Sequence, residues 1–457
     1  MLTLIAAATA LAASAAPTFV ERPCAAELAG KARCGTVAVP EDRAAPGKRT
    51  IGLNLIVIPA SGPRTQPPLF DLEGGPSVAD TKNVLFYLTD GAAYHASRDV
   101  VLVDQRGTGG SNGLKCPELD AAEAAYRPMY PVPAVRRCRA ALEKRADLRF
   151  YTTTESVADL DAVRAALGYD RIDLFALSYG TLFALRYMAT YPGTVRAAVL
   201  LSAAPPSSMP PRHHAEAAER ALELLFAQCR ADPACAKAFD PDRDLDRALA
   251  RLATVPGAPS RDVFMEKLRA QMYTPAGARS IPFLVHAAAR GDLEPFLAAT
   301  RSRGPSLFHE GMYLSVTCAE AFALFDYAPA AAKGRRTRFG DYRLRRQHAA
   351  CREWPKGKVP AGFLDLPRTD AQVLILSGPL DPVTPPEWGA DIARALPNAR
   401  QVVIPEMAHI FDGLSGIDTC FDPMVLRFYA SGDVKSLDAS CVAGMAPPPF
   451  KTAVRSP

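Results

Sequence analysis

Short unbroken apolar runs recur through the first part of this chain, each closed by a turn rich in glycine or other small residues. Residues 37–40 and 51–59, rich in Ile, Val and Leu, read as strands separated by a turn containing A-A-P-G-K. Residues 69–72 read as a short strand running into Gly74-Gly75-Pro76, and 99–104, D-V-V-L-V-D, as a buried strand running into Q-R-G-T-G-G-S. Residues 156–167 have helical periodicity, with apolar residues at 157, 160, 163 and 167 and Gly168 as the stop. A strand at 171–177, a helix at 182–191 stopped by Pro192-Gly193, and a buried strand at 195–201 follow. Strands that are apolar on both sides need cover on both sides. The pattern therefore predicts an α/β fold with a mostly parallel central sheet and helices on both faces.

The rhythm breaks after Ala203, at A-P-P-S-S-M-P-P-R. From there to about Pro367 the chain is rich in Ala, Arg and Leu and mainly helical, and strand signals return only at 371–377 and 400–404. A helical block between late strands of a parallel sheet predicts a cap over the sheet. A length of 457 residues, beyond the roughly 250–300 of a single core, agrees with such an insertion. The expected division is a signal peptide at 1–16, a first core part at 17–204, a helical cap at 205–367 and a second core part at 368–457.

The leader expectation rests on the run M-L-T-L-I-A-A-A-T-A-L-A-A-S-A-A, in which Ala13, Ser14 and Ala15 form an A-x-A-like cleavage signal. No Lys or Arg precedes it, and it falls short of the about 20 apolar residues a membrane span needs. Stable membrane insertion is not expected. Ten cysteines, Cys24, Cys34, Cys116, Cys138, Cys229, Cys235, Cys318, Cys351, Cys420 and Cys441, form no C-x-x-C and no zinc spacing. An even number in an exported chain predicts disulfides. Ten cysteines allow about 945 pairings. Sequential pairing is the economical one, because each loop is short and stays within one region.

The segment F-A-L-S-Y-G-T, residues 175–181, carries the chemistry. A G-x-S-x-G elbow exposes a serine on a sharp strand-to-helix turn, whose close backbones require small neighbours. Ser178 has the strand before it and the helix after it, Gly180 at the second small position and Ala176 at the first. Elbow hydrolases place an acid and then a histidine later in the chain. Asp381 follows the strand at 371–377, and His409, the only histidine beyond residue 348, follows the strand at 400–404. Both fall where loops at one sheet edge converge on Ser178. Gly74-Gly75-Pro76-Ser77 suits an oxyanion loop, with the N–H groups of Gly75 and Tyr179 as donors. D-Q-R-G-T-G-G-S lacks the final glycine of a dinucleotide fingerprint and opens no helix, so it reads as a structural turn braced by Asp104 or Arg106.

Together these stretches resemble the α/β-hydrolase peptidases of the proline iminopeptidase and tripeptidyl aminopeptidase type. The matching pieces are G-G-P, V-D-Q-R-G-T-G-G-S, L-S-Y-G-T with R-Y-M-A-T-Y-P, and L-D-P-V-T-P with a late histidine. The resemblance implies Ser178 as nucleophile, His409 as general base and then acid, and Asp381 as the group orienting His409. The chain departs from the family pattern at Ala176, Ser77 and Ala408, where glycine is usual. Cysteine-containing segments at 317–320 and 351–355 resemble the family's cap-end C-x-D…C-x-x-W-P pattern, with Glu320 in place of Asp. The resemblance makes Glu320 a candidate for binding a substrate's free α-amino group; a solvated helix-face acid is the alternative.

The implied activity is that of an exported serine aminopeptidase acting on peptide substrates, in the periplasm or outside the cell, without metal or organic cofactor. An esterase with the same triad and an inactive hydrolase-fold binding protein remain open. A net charge of +5 gives no case for nucleic acid. The basic run 333–346, K-G-R-R-T-R-F-G-D-Y-R-L-R-R, reads as a solvated cap face. Oligomeric state is not legible.

Overall fold

The computed structural model describes residues 16–124, 126–301 and 306–453. The expected leader at 1–16 falls almost wholly outside them. The strands are β1 (Phe19–Arg22), β2 (Arg33–Pro40), β3 (Thr50–Ile58), β4 (Leu69–Leu72), β5 (Val100–Val103), β6 (Ile172–Leu177), β7 (Val195–Leu201), β8 (Gln372–Ser377) and β9 (Ala399–Val403). They form one sheet in the order β1-β2-β3-β5-β4-β6-β7-β8-β9. The β1–β2, β2–β3 and β3–β5 pairs are antiparallel and the other five are parallel. The mostly parallel sheet is as expected. The central strands are buried on both faces, which explains their unbroken apolar runs: β4 and β5 have no exposed residue, and Val199, Leu200, Leu374 and Ile375 are fully buried.

Two hydrophobic clusters cover the two faces. One packs Val157, Leu160, Phe183 and Leu185 against one side, and the other packs Phe421, Met424 and Phe428 against the opposite side. Between β7 and β8 the described chain forms helices and no strand, beginning with His214–Ala231 and ending with Tyr342–Cys351. This helical insertion has its own cluster, including Phe226, Phe264, Leu284 and Phe296. Leu380 and Ala408 from the sheet-edge loops join that cluster, so insertion and sheet share apolar surface beside the Asp381 and His409 loops.

All five disulfides follow the sequential pairing: Cys24–Cys34, Cys116–Cys138, Cys229–Cys235, Cys318–Cys351 and Cys420–Cys441. Among the described residues no helix is long and apolar enough to cross a membrane. The basic run departs from expectation in part: Lys333, Arg335, Arg336 and Arg345 are exposed as expected, but Arg338, Arg343 and Arg346 are not. Arg338 bonds Glu219 at 2.6 Å, Arg335 bonds Asp341 at 2.8 Å, and Arg345 bonds Asp262 at 2.9 Å. Arg343 turns inward to Glu266. Arg338, Arg343 and Arg345 thereby tie the insertion's helices together through carboxylates outside the run, whereas Arg335 pairs within it and Arg346 donates to the Met129 and Tyr130 carbonyls.

The D-Q-R-G-T-G-G-S turn is structural, as expected. Asp104 accepts from Thr81 Oγ1 at 2.8 Å, Asn54 Nδ2 at 2.8 Å and the Gly110 N–H at 2.9 Å. The fully buried Arg106 forks onto Asp159 at 2.6 and 2.7 Å and donates to the Glu41 and Phe150 carbonyls. A buried guanidinium with this many acceptors is paired well enough to offset its desolvation, and it locks the turn to β2 and the helix Thr153–Ala166.

Candidate active site

Strand β6 ends at Leu177 and the helix Tyr179–Thr190 begins two residues later, leaving Ser178 alone at the turn. Its backbone sits at φ 56° and ψ −120°, a strained conformation for a residue with a side chain, held by packing on both sides. The helix starts three residues earlier than its apolar period indicates, since Y-G-T lacks that period. Gly180 has no room for a side chain: a Cβ there would lie 2.0 Å from the Leu72 carbonyl oxygen at the end of β4. Ala176 is fully buried and pairs with Leu72 and Leu200 on the neighbouring strands.

The loop after β4 reaches the same place. A Cβ on Gly74 would lie 3.0 Å from the Ser178 Cβ, so this loop passes directly over the serine. Gly75 has φ 116°, a conformation that any side chain would strain. Gly75, Ser178 and Tyr179 all line one cavity of about 410 Å³. Tyr179 opens its helix, where the first N–H groups have no intrahelical partner and the helix dipole is positive. His309 secures the loop: its Nδ1 lies 2.9 Å from the Ser77 carbonyl oxygen, and its Nε2 accepts from the Gly109 N–H at 3.1 Å.

Asp381 and His409 come together from the loops after β8 and β9. His409 Nδ1 lies 2.8 Å from Asp381 Oδ2, with both side chains buried. An ionised carboxylate only accepts, so Nδ1 holds the proton and Nε2 is the basic nitrogen. Asp381 also accepts from the Val383 and Thr384 N–H groups at 2.7 and 2.9 Å and from Thr384 Oγ1 at 2.6 Å. Burial works to raise the Asp381 carboxyl, but His409 and Thr384 outweigh it and hold the group below the usual carboxylate range. Glu406, the other acid of the loop after β9 that precedes His409, pairs instead with Arg279 at 3.0 Å.

Groups from the insertion hold this pair as well, and the sequence reading missed them. The Tyr273 ring stands edge-on to His409 with centroids 4.8 Å apart, and its carbonyl accepts from the Ile410 N–H at 2.9 Å. Arg220, on the helix His214–Ala231, donates to the carbonyls of Pro379 at 2.7 Å and Asp381 at 3.0 Å. From the core, directly after β7, Ser202 Oγ donates to the His409 carbonyl at 2.6 Å. Only Thr384 had a local signal, three residues after Asp381 in D-P-V-T. Tyr273 and Arg220 lie more than a hundred residues from what they touch, with no sequence mark.

Glu320 ends the helix Glu310–Glu320 and lines the same cavity as Ser178. It is 5% exposed, which rules out the solvated helix-face alternative. It accepts from the Thr153 N–H at 2.5 Å and from Thr153 Oγ1 at 2.6 Å, and Thr153 Oγ1 meets the Tyr179 hydroxyl at 2.7 Å. Burial pushes its carboxyl up to about 7, against the pull of the Thr153 bonds. Among the described residues no cluster of His, Cys, Asp or Glu has the makings of a metal site.

The alpha/beta hydrolase fold family matches residues 74–411. Serine protease Hip1 of Mycobacterium tuberculosis is 28% identical over 238 residues, 48% of this chain and 46% of that protein. Tripeptidyl aminopeptidase of Streptomyces lividans is 31% identical over 198 residues, 38% of this chain and 36% of that protein. The matched stretches therefore span less than half the length of these two relatives. Carboxylesterase B of Mycobacterium tuberculosis is 28% identical over 459 residues, 90% of this chain and 86% of that protein.

Proposed function

The chain belongs to the α/β-hydrolase-fold family, and from that premise we propose that it is an exported serine hydrolase that removes short N-terminal pieces, single residues or tripeptides, from peptides through an acyl-enzyme intermediate. The observation that carries this reading is the shared cavity, in which Ser178 at the elbow and the buried Glu320 carboxyl line one space. In the proposed reaction Ser178 Oγ attacks the scissile carbonyl while His409 Nε2 takes its proton. Asp381 holds the imidazole in the tautomer this requires and stabilises its charged form. The Gly75 and Tyr179 N–H groups receive the developing oxyanion. His409 then protonates the leaving amine, and water releases the acyl group by the same steps in reverse. Glu320, ionised by contact with a substrate ammonium, fixes the free N-terminus and makes the enzyme exo-acting. Five disulfides and the A-x-A-like leader support export.

An esterase using the same residues is the second reading, favoured by the likeness to carboxylesterase B over nine-tenths of this chain. N-terminally free and blocked peptide anilides, set beside p-nitrophenyl esters, separate the two. The aminopeptidase reading expects free-amine anilides to be cleaved and blocked ones to be spared, and equal cleavage of both sinks it. Fluorophosphonate labelling tests the mechanism beneath both readings: wild type is expected to label and Ser178→Ala to stay unlabelled. An unlabelled wild type leaves a binding protein on a hydrolase fold.

A further inference from the structure

The cavity that Ser178 and Glu320 line is also lined by charges that the proposed reaction does not use. Glu266, on the helix Arg261–Gln271, accepts from two guanidiniums at once. Arg269 Nε donates to its Oε2 at 3.3 Å and Arg343 Nε donates to its Oε1 at 3.0 Å. Each arginine also donates to a tyrosine hydroxyl, Arg269 to Tyr273 and Arg343 to Tyr313, at 3.0 and 3.2 Å. Burial works to raise Glu266, but the two guanidiniums outweigh it and keep it ionised. Two cations thus share one anion on the wall of the cavity. A buried charge without its counterion is costly, and an incoming anion relieves that cost.

His214 lies on the same wall and adds an independent observation. It is 7% exposed, and neither ring nitrogen has a hydrogen-bond partner among the described residues. Buried polar groups are almost always bonded, so an orphaned imidazole facing a cavity marks a contact made with a ligand. Burial, then the Arg269 and Arg343 charges, hold His214 neutral, so it offers one N–H donor. Two more carboxyls line the cavity: Glu310 accepts from the Tyr130 hydroxyl at 3.0 Å, and Glu320 accepts from Thr153 Oγ1 at 2.6 Å.

We propose that His214, Arg269 and Arg343 bind a carboxylate of the substrate, so that the preferred substrates carry a negative charge close to the scissile bond. This rests on the cavity being the substrate site. It goes beyond the amine contact at Glu320, because the cavity then has two poles. The Glu320 pole connects through Thr153 to Tyr179, next to Ser178, and the arginine pole connects through Tyr273 to His409. A short peptide supplies such a carboxylate either from an acidic side chain or from its own C-terminus.

The experiment compares matched substrates on the full chain. One pair of free-amine peptides differs only in Glu against Gln beside the scissile bond, and a second pair differs only in a free against an amidated C-terminus. At least one carboxylate form is expected to have kcat/KM higher by about tenfold or more, the lower end for a hydrogen bond to a charged group, and the responding pair identifies the source. In Arg343→Gln that ratio is expected to fall toward unity, and His214→Phe is expected to lower it further than His214→Gln. Competitive inhibition of the wild-type chain by glutarate, and not by glutaramide, reads the same site without any variant and decides the matter if the variants do not fold. The p-nitrophenyl pair hydrogen succinate and butyrate asks the same question with esters, so a failed peptidase reading is separable from a failed carboxylate site. Equal rates on every pair with no glutarate inhibition overturn the proposal, as does a wild-type preference that Arg343→Gln leaves intact.

Discussion

Ala176 and Gly180 flank the same serine, yet the structure treats them differently. Gly180 faces the end of β4 so closely that a methyl would collide with the Leu72 carbonyl, whereas the Ala176 methyl packs inside the sheet core. Gly180→Ala is therefore expected to destabilise the chain by about 1–3 kcal/mol and slow fluorophosphonate labelling. Ala176→Gly should lower the melting temperature by the equivalent of about 1 kcal/mol without raising kcat. Asp381→Asn, measured on whichever substrate proves active, is expected to lose on the order of 10⁴ in kcat through the wrong His409 tautomer.

Glu320 gives a pH prediction at the same scale. Its folded form holds a proton up to about 7, where the unfolded chain gives it up near 4.5. The stability it contributes is thus fully present below about 4.5 and lost as pH rises through about 7. Asp71 is also pushed up to about 7, by burial and by neighbouring Glu73, so the Glu320 share is read as the difference between wild type and Glu320→Gln across this window. Binding of free-amine substrates should run the other way: KM is expected to fall through pH 7 in wild type and to stay flat in Glu320→Gln.

Among the elements, β4, β6, β7 and β8 were legible because their strands need cover on both faces, which leaves apolar runs, and the edge strand β9, with one buried residue, was legible only from the apolar end of R-Q-V-V-I. Their bounds in the structure match the sequence reading to within a residue. β1, in the stretch F-V-E-R, was not legible: an edge strand exposed on most of its length carries no apolar signature. The helix after Ser178 was legible only from its second turn. The insertion's first helix does something that no helical pattern indicates, since its Arg220 clamps the loop carrying Asp381. Arg220→Met is expected to lower kcat by about tenfold and shift the pH–rate profile through a looser Asp381–His409 pair, with the melting temperature little changed. A purely structural role would lower the melting temperature and leave the profile in place.

For the whole molecule, disulfides define how the parts are tied. Cys318–Cys351 closes a separation of 33 residues and joins the helix bearing Glu320 to the helix bearing Arg343. Cys229–Cys235 closes only 6. Loop-closure entropy predicts that replacing the longer bridge by two serines costs about 3–4 kcal/mol, and the shorter about 2. Denaturant midpoints of the two double variants check that order. Loss of the longer bridge should also weaken substrate binding, because it loosens both poles of the cavity.

The positions of Ser178, Asp381 and His409 at strand ends were determined by sequence, because strand periodicity and turn chemistry are local and a parallel sheet brings its strand ends to one edge. The disulfide partners were also legible, since short loops close most readily. Only the tertiary structure decided what surrounds that edge. It made Glu320 a buried cavity group, turned Arg343 from a basic surface run onto Glu266, left the His214 ring nitrogens without a hydrogen-bond partner among the described residues, and set Tyr273 and Arg220 against the loops that carry His409 and Asp381. These contacts join residues far apart in the chain. Each depends on how the insertion packs over the sheet, and packing between distant helices leaves no periodic trace in the sequence of either.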